Sequence, residues 1–451
     1  MKKVAIIGGG LSGLTAAFYL ARQNKNIDWQ VYEASARFGG HIKTVHKRGY
    51  IIEKGPDSFL ARKPAGMQLI HDLKLDSELV KNATGQSYIY QNKIFHPIPE
   101  GSIMGIPTKL KPFLKSKLFS PLGKVRVLYE LIKPADRSKE DQSLGDFFEK
   151  RFGKEMVTHL IEPLFSGIYA GNLYQMSLRA TYPAMETLLN ENGSILKGLR
   201  KQRVQTTGTK QTIGAFRTLK GGMTQLVDEL VKQLPAERCH LNKAIENIEK
   251  KEDRYHLLFK NGEIEVVDEI IFGINHLRAL ELMPQYESPL KNQKIASSAT
   301  LSFGFKIDDV PSLPDGTGFL MTREKDEHMT ACTWVHTKWP HMVPENRILL
   351  RVFLGRSNLS NVTELADDEL ISLARTYLQD IMGVTAEPEV TEISKMNMAM
   401  PQYDIGHTER VASLLEKTKH QREGLHFIGM SYEGVGIPDC IQLAKETVKN
   451  M

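Results

Sequence analysis

Cysteine is scarce in this chain. There are three in 451 residues, Cys239, Cys332 and Cys440, widely separated and without a CxxC pair. That argues against a disulfide framework and against a zinc–thiolate site, and it suits a reducing compartment. Histidine is commoner, but no HExxH occurs, and His336 and His341 stand five apart with no evident third ligand. No metal is expected. No low-complexity tract or internal repeat stands out.

Long apolar runs are missing too, with one exception. Residues 4–21, VAIIGGGLSGLTAAFYLA, carry no charge and follow Met-Lys-Lys. A secretory signal or a short membrane span has that outline. But Gly8, Gly9, Gly10 and Gly13 cluster where an apolar helix should be continuous, and each glycine in a helix interior costs roughly 1 kcal/mol against alanine. The pattern also changes at the glycines. Residues 4–7 suit a short buried strand, whereas Leu14, Ala17, Phe18 and Ala21 recur at helical spacing. Strand, glycine turn and helix is the better reading. With no second continuous apolar span, the expectation is a cytoplasmic protein, soluble or peripheral on the inner face of the membrane.

The turn reads Gly8-x-Gly10-Leu11-Ser12-Gly13. One glycine permits the tight turn, one lets a pyrophosphate approach the backbone, and one lets helix and strand pack closely. Free N–H groups and the helix dipole then favour phosphates. Residues 27–32 (IDWQVY) read as a second strand ending at Glu33, 20 residues after Gly13, where a carboxylate for an adenosine ribose is expected. Near the other end, 425–428 reads as a buried strand, followed by Gly429, Gly434 and Gly436 and by a helix with Pro438 near its start. This second strand–glycine–helix unit implies a cofactor held from both chain ends. In the middle, LKGGM leads into the helix TQLVDELVKQL, residues 239–248 alternate as a strand, and Asn261-Gly262 marks a hairpin.

The net charge of +6 is uneven. Between residues 101 and 135 stand Lys109, Lys111, Lys115, Lys117, Lys124, Arg126 and Lys133 against one acid, Glu130, with apolar residues interleaved. Three readings stay open: a solvated helix face, a contact with an anionic membrane surface, or steering of an anionic small molecule. No nucleic-acid motif accompanies the charge.

After Glu33 and Ala34 comes a second glycine pair, Arg37-Phe-Gly39-Gly40-His-Ile-Lys43-Thr44, and then the turn Gly55-Pro56-Asp57-Ser58. These loops resemble those of flavin amine oxidases and imply FAD. The stretches FSGIYAGNLYQMSLRATYP, TLKGGM, ACTWVHTKWPH, AMPQYDIGH and GVGIPDCI narrow the likeness. In family order and over almost the whole chain, the sequence resembles the porphyrinogen oxidases of heme biosynthesis, and within them the coproporphyrinogen III-oxidising branch of Gram-positive bacteria.

That resemblance implies an α/β multidomain fold. A discontinuous Rossmann-like FAD domain of the amine oxidase/glutathione reductase type would assemble from 1–60, 205–275 and 424–451. A mixed-sheet substrate domain would comprise 61–99 with 290–423, and a helical, membrane-facing domain would span 100–204. The second glycine loop would wrap the FAD pyrophosphate, the 55–58 loop would run along the flavin, the Ile245 backbone would meet the adenine, and Gly429, Val435, Gly436 and Ile437 would close the site. Where the family usually has a tryptophan against the flavin, this chain has Met396; methionine also packs on aromatic faces but is less rigid. An arginine that binds a propionate in mitochondrial relatives has no clear counterpart near 101–105.

The implied reaction is the six-electron oxidation of a porphyrinogen: three hydrides pass to FAD N5, and oxygen takes the electrons to give three hydrogen peroxides. No side chain is needed as nucleophile, and no catalytic residue is named. Lys63, with Arg62 behind it, is the candidate for a substrate propionate, and Ile168, Tyr169, Gly171 and Asn172 are expected to wall the macrocycle. Coproporphyrinogen III carries four propionates and protoporphyrinogen IX two; the branch likeness favours the first. A downstream chelatase would receive the product. Monomer and homodimer both remain open, as does a non-enzymatic flavin-binding role in porphyrin delivery.

Overall fold

A computed structural model describes residues 1–23, 26–136, 140–206, 215–323, 327–355, 361–420 and 424–451. Parts of the expected segments, 207–214 within 205–275 and 324–326, 356–360 and 421–423 within 290–423 among them, lie outside the described residues. At the N-terminus, the uncharged run folds as strand Lys2–Ile7, glycine turn and helix Leu11–Ala21. The strand is the centre of a five-stranded parallel sheet. Its order is Cys239–His240, Ile27–Tyr32, Lys2–Ile7, Glu269–Phe272, Leu425–Phe427. Val4, Ala5, Ile6 and Ile7 are all buried, because a central parallel strand is covered on both faces and so reads as a continuous apolar run. One face packs on Leu14, Phe18, Leu226, Leu230 and Ile441. The other packs on the antiparallel strands Ile245–Lys251, Arg254–Phe259 and Ile264–Val267 through Ile248, Leu257 and Phe259. First and last strands thus share one sheet.

The strand expected over 239–248 breaks in two. Asn242 takes a left-handed conformation (φ 56°), and the chain leaves the parallel sheet there to enter the antiparallel layer.

A seven-stranded sheet forms a second body, in the order Val390–Pro401, Ile295–Lys306, Arg347–Leu354, Met329–Trp334, Gly318–Met321, Tyr88–Gln91, Ile94–Pro97. Neighbours are antiparallel except Gly318–Met321 and Tyr88–Gln91, which run parallel. Helix Asp367–Met382 lays Leu370, Ala374 and Leu378 against Leu301, Phe303 and Val352.

Two segments expected in the substrate domain pack elsewhere. Helix Pro64–Asp72 buries Ala65, Leu69 and Ile70 in the core around the N-terminal helix, and strand Leu79–Lys81 pairs with Phe216–Leu219. Helix His407–His420 buries Val411 and Leu414 beneath the parallel sheet. Of residues 61–99, the strands Tyr88–Gln91 and Ile94–Pro97 join the seven-stranded sheet.

The third body is helical, with Phe113, Phe148, Leu160, Phe165, Leu188 and Leu196 in its core. Glu130, the lone acid of the basic stretch, points inward and is wholly buried. It accepts hydrogen bonds from Arg151, the Ser194 hydroxyl and the Ile195 and Leu196 amides. A buried carboxylate is tolerated only with such full pairing. Among the described residues, no helix is long and apolar enough to cross a membrane.

Candidate functional site

The glycine turn has one position that sterics leave open. Gly8 has φ 102°, and a Cβ on it would lie 2.7 Å from the Ile274 side chain. A Cβ on Gly13 would collide with the Gly8 carbonyl oxygen, which is the close helix–strand packing that excludes a side chain. Gly10 differs: its φ is −75°, and a Cβ there would face open space, the nearest heavy atom being Gly40 Cα at 3.9 Å. The second glycine loop lies alongside. Gly39 N–H donates to Gly9 O at 2.8 Å, and Gly10 and Gly39 form a parallel bridge.

Helix Leu11–Ala21 begins at Gly10 with no side chain capping its first amides. Leu11 and Ser12 are buried at that start. Arg37 folds across the second loop, its guanidinium donating to the Phe38, Gly40 and Ile42 carbonyls. Glu33 sits past the end of strand Ile27–Tyr32 with one oxygen on Gly9 N–H (2.8 Å) and the other on the Ser35 amide and hydroxyl. Ala34 beside it is exposed. The Lys243 amide donates to Glu33 O, which brings the segment leading to Ile245 against the carboxylate end of the turn. Ile245 itself buries its side chain in the core beneath the sheet.

The C-terminal unit meets the same turn. Gly429 (φ 112°) lies against Ser12: a Cβ there would be 3.5 Å from its hydroxyl oxygen. Helix Ile437–Asn450 starts at Gly436, whose amide donates to Asp439 (3.3 Å), and packs beside helix Leu11–Ala21. Ile437 is buried with that helix, while Val435 reaches the core of the helical body. A cavity of about 250 Å³ opens between the second glycine loop and strand Val390–Pro401, lined by Arg37, Gly40, His41, Lys43, Lys54, Ser394, Lys395 and Met396. Gly55 is wedged at its wall. A Cβ on it would collide with the His41 carbonyl oxygen and stand 3.4 Å from the Met396 methyl. An open glycine cradle, an uncapped helix start and a cationic lining together suit a dinucleotide carrying a pyrophosphate.

A family model described as flavin containing amine oxidoreductase matches residues 11–451. The chain belongs to that family. It carries FAD and is an FAD-dependent oxidoreductase. A coproporphyrinogen III oxidase of Bacillus subtilis is 41% identical over 100% of this chain and 97% of its own length. One from Staphylococcus aureus is 36% identical over 98% of this chain and 97% of its own. An Exiguobacterium crystal structure, provisionally named a protoporphyrinogen oxidase, superposes with a TM-score of 0.89 at 34% identity, covering 100% of this chain and 98% of that one. Reduced UDP-galactopyranose mutase shares the fold alone (TM-score 0.74, 16% identity, 100% and 95% covered).

Within this flavoprotein several expected side chains are committed to other partners. Thr44 does not face the cavity: its hydroxyl donates to Glu53 (2.9 Å) and its amide to the Thr224 hydroxyl (2.7 Å). Asp57 turns away as well. It accepts from Lys338 (2.7 Å), the Trp339 indole (3.2 Å) and Ser58 (2.6 Å). Burial would raise its carboxyl, but the Lys338 and Arg351 charges hold it well below the usual range. Asp57 and Ser58 therefore anchor the loop by their side chains, and Gly55 and Pro56 present backbone and ring. Lys63 is chelated by both oxygens of Asp439, at 2.6 and 2.7 Å. Its charge is balanced by that pair, while the neighbouring Arg62 is exposed, makes no hydrogen bond or salt bridge among the described residues, and acts by its charge on the Tyr182 phenol.

The expected macrocycle wall divides similarly. Tyr169 is buried, packs edge-on to Tyr403 (6.1 Å), and offers its carbonyl to Gln402. Burial, reinforced by the Asp439 charge, pushes its phenol up to about 12. A Cβ on Gly171 would collide with the Gln402 side chain. Asn172 spends its side-chain oxygen on the Tyr174 amide, so it builds the turn. Ile168 is 40% exposed and free to make an apolar contact. Sequence reasoning passed over Asp439, Gln402, Lys338 and Arg351. One signal was available: Arg351 interrupts the apolar strand ILLRVFL, and an arginine inside a buried strand requires a partner.

Proposed function

We propose that this chain oxidises coproporphyrinogen III to coproporphyrin III, with oxygen as acceptor, as a step of heme biosynthesis. The observation that carries this reading is the full-length identity to relatives bearing that activity in their names. In this reading Gly8, Gly10, Gly13, Gly39 and Gly40 supply the backbone cradle for the FAD pyrophosphate, and Glu33 receives the ribose. The 55–58 loop and Met396 flank the flavin. FAD supplies hydride acceptance and passage of the electrons to oxygen. Three rounds remove three hydrides from meso carbons and three protons, two from pyrrole nitrogens and one from the fourth meso carbon, and each round reduces one oxygen to hydrogen peroxide.

This chain's residues position the substrate and exclude water. Tyr169, with its raised phenol, stays protonated at neutral pH, so it serves as a neutral wall and not as a base. Arg62 is the cation available to a propionate; Lys63 becomes available when a substrate carboxylate displaces Asp439. Peripheral contact with an anionic membrane belongs to the same proposal. Helix Pro121–Tyr129 presents Leu122 (82% exposed), Val125 and Tyr129 on one face, continued by Ile132 (76%), among the lysines of the basic stretch and with Glu130 turned inward. The test of function is kcat/KM for coproporphyrinogen III and protoporphyrinogen IX measured in parallel with autoxidation controls. A clear preference for the first is expected; equal rates or the opposite preference would overturn the substrate assignment.

A further inference from the structure

Four charged side chains from three parts of the chain, Glu53, Asp57, Lys338 and Arg351, meet at the 55–58 loop. Arg351, on strand Arg347–Leu354 of the seven-stranded sheet, is 5% exposed. It donates through Nη2 to the Gly55 carbonyl at 2.6 Å. Its Nε is buried with no hydrogen-bond partner among the described residues, and its guanidinium lies 4.9 Å from the Phe353 ring centroid. No carboxylate among the described residues makes a salt bridge to it, although the charges of Asp57 and Glu53 are near enough to act on it. Lys338 and Trp339, also from the sheet body, hold Asp57. Glu53, 5% exposed, accepts from the Met223 amide (2.6 Å) and the Thr44 hydroxyl (2.9 Å), which ties the second glycine loop to the LKGGM segment.

Asp57, already paired with Lys338, and Glu53 are the carboxylates whose charges act on Arg351. Burial raises the Glu53 carboxyl to about 7, against hydrogen bonds from Met223 and Thr44 and the Arg351 charge. Near neutrality this carboxylate is therefore only partly ionised, and the cluster retains positive charge. It lies directly behind Gly55, whose other side faces Met396 and His41.

We propose that Arg351 is a positioning residue for the flavin: through the Gly55 carbonyl it fixes the loop beside the cofactor, and its incompletely balanced charge raises the flavin reduction potential. The physical reason is electrostatic. Two-electron reduction places additional negative charge on the flavin at neutral pH, and a buried cation held behind one backbone segment in a low-dielectric interior stabilises it. The inference rests on the reading that the 55–58 loop runs along the flavin.

The experiment compares holoenzymes: wild type, Arg351→Met, Arg351→Lys and, as a control for the loop reading, Met396→Trp. The readouts are the flavin absorption spectrum, the redox equilibrium against a reference dye, and thermal melting of apo and holo forms. Arg351→Met is expected to shift that equilibrium at least tenfold toward oxidised flavin, about 30 mV for a two-electron couple. Arg351→Lys should restore most of it. Met396→Trp should alter the spectrum. If Met396→Trp changes the spectrum while Arg351→Met leaves the equilibrium within twofold of wild type, the role of Arg351 is overturned and the loop reading stands. If neither variant affects the flavin, the loop reading itself falls. If Arg351→Met only lowers melting of apo and holo forms alike, the residue is structural and the proposal is overturned. Should Arg351→Met not fold, Arg351→Lys decides: a potential near wild type supports the role of the charge, and a full tenfold loss despite the retained charge refutes it.

Discussion

Replacing Gly10 with alanine separates cofactor binding from folding. The backbone at Gly10 (φ −75°, ψ 180°) is open to any residue, and the new methyl meets nothing closer than Gly40 Cα at 3.9 Å. The apo protein should therefore keep its stability, or gain roughly 0.4–1 kcal/mol from the reduced freedom of the unfolded chain. The methyl nevertheless fills the gap between the two glycine loops. Phosphate oxygens must come within about 3 Å of the amides there. FAD affinity should fall at least about 100-fold, a loss of roughly 2.8 kcal/mol at 1.4 kcal/mol per tenfold. The assays are melting of apo protein and titration of FAD by fluorescence. Gly13→Ala is the contrast: its Cβ collides with the Gly8 carbonyl, so apo stability itself should collapse. Wild-type FAD affinity in Gly10→Ala, or a collapse of its apo melting transition, would show that Gly10 does not keep space for the cofactor.

Arg62→Ala should raise KM for coproporphyrinogen III about tenfold with kcat unchanged, as for one charge-assisted hydrogen bond of roughly 1.5 kcal/mol; steady-state kinetics decide, and an unaltered KM removes Arg62 from the site. The raised Glu53 carboxyl makes a pH prediction. Its folded value, about 7, lies above its unfolded value near 4.5, so its contribution is present below pH 4.5 and lost as pH rises through 7, by roughly 3 kcal/mol. Glu53→Gln should then be more stable than wild type above pH 7 and nearly equal to it near pH 4.5, measured by denaturant unfolding of the apo protein; parallel pH profiles would contradict this. Leu122→Glu with Val125→Glu should abolish co-sedimentation with anionic vesicles while oxidase activity in solution is kept; retained binding would move the membrane contact off this face.

What the sequence made legible follows a physical division. The glycine turns and the strand ending at Glu33 were readable because their requirements are local: a positive φ, a close approach, or a buried strand between turns. The two chain ends meeting in one sheet followed from the same signals repeated. The commitments of Thr44, Asp57 and Lys63 were not readable. Their partners Thr224, Lys338 and Asp439 lie 180, 281 and 376 residues away, and nothing local marks a polar side chain as already paired. The placement of helices Pro64–Asp72 and His407–His420 was hidden for a related reason. An apolar helix face shows that it will be buried but not in which core.

Oxygen uptake, peroxide release and porphyrin formation, measured together on the purified FAD-loaded protein with coproporphyrinogen III, decide whether this chain is a coproporphyrinogen III oxidase. Three oxygens should be consumed and three hydrogen peroxides released for each coproporphyrin III formed, at a rate far above the enzyme-free control and lost in Gly10→Ala. Porphyrin appearing no faster than by autoxidation, or forming without matching oxygen uptake, would contradict that assignment.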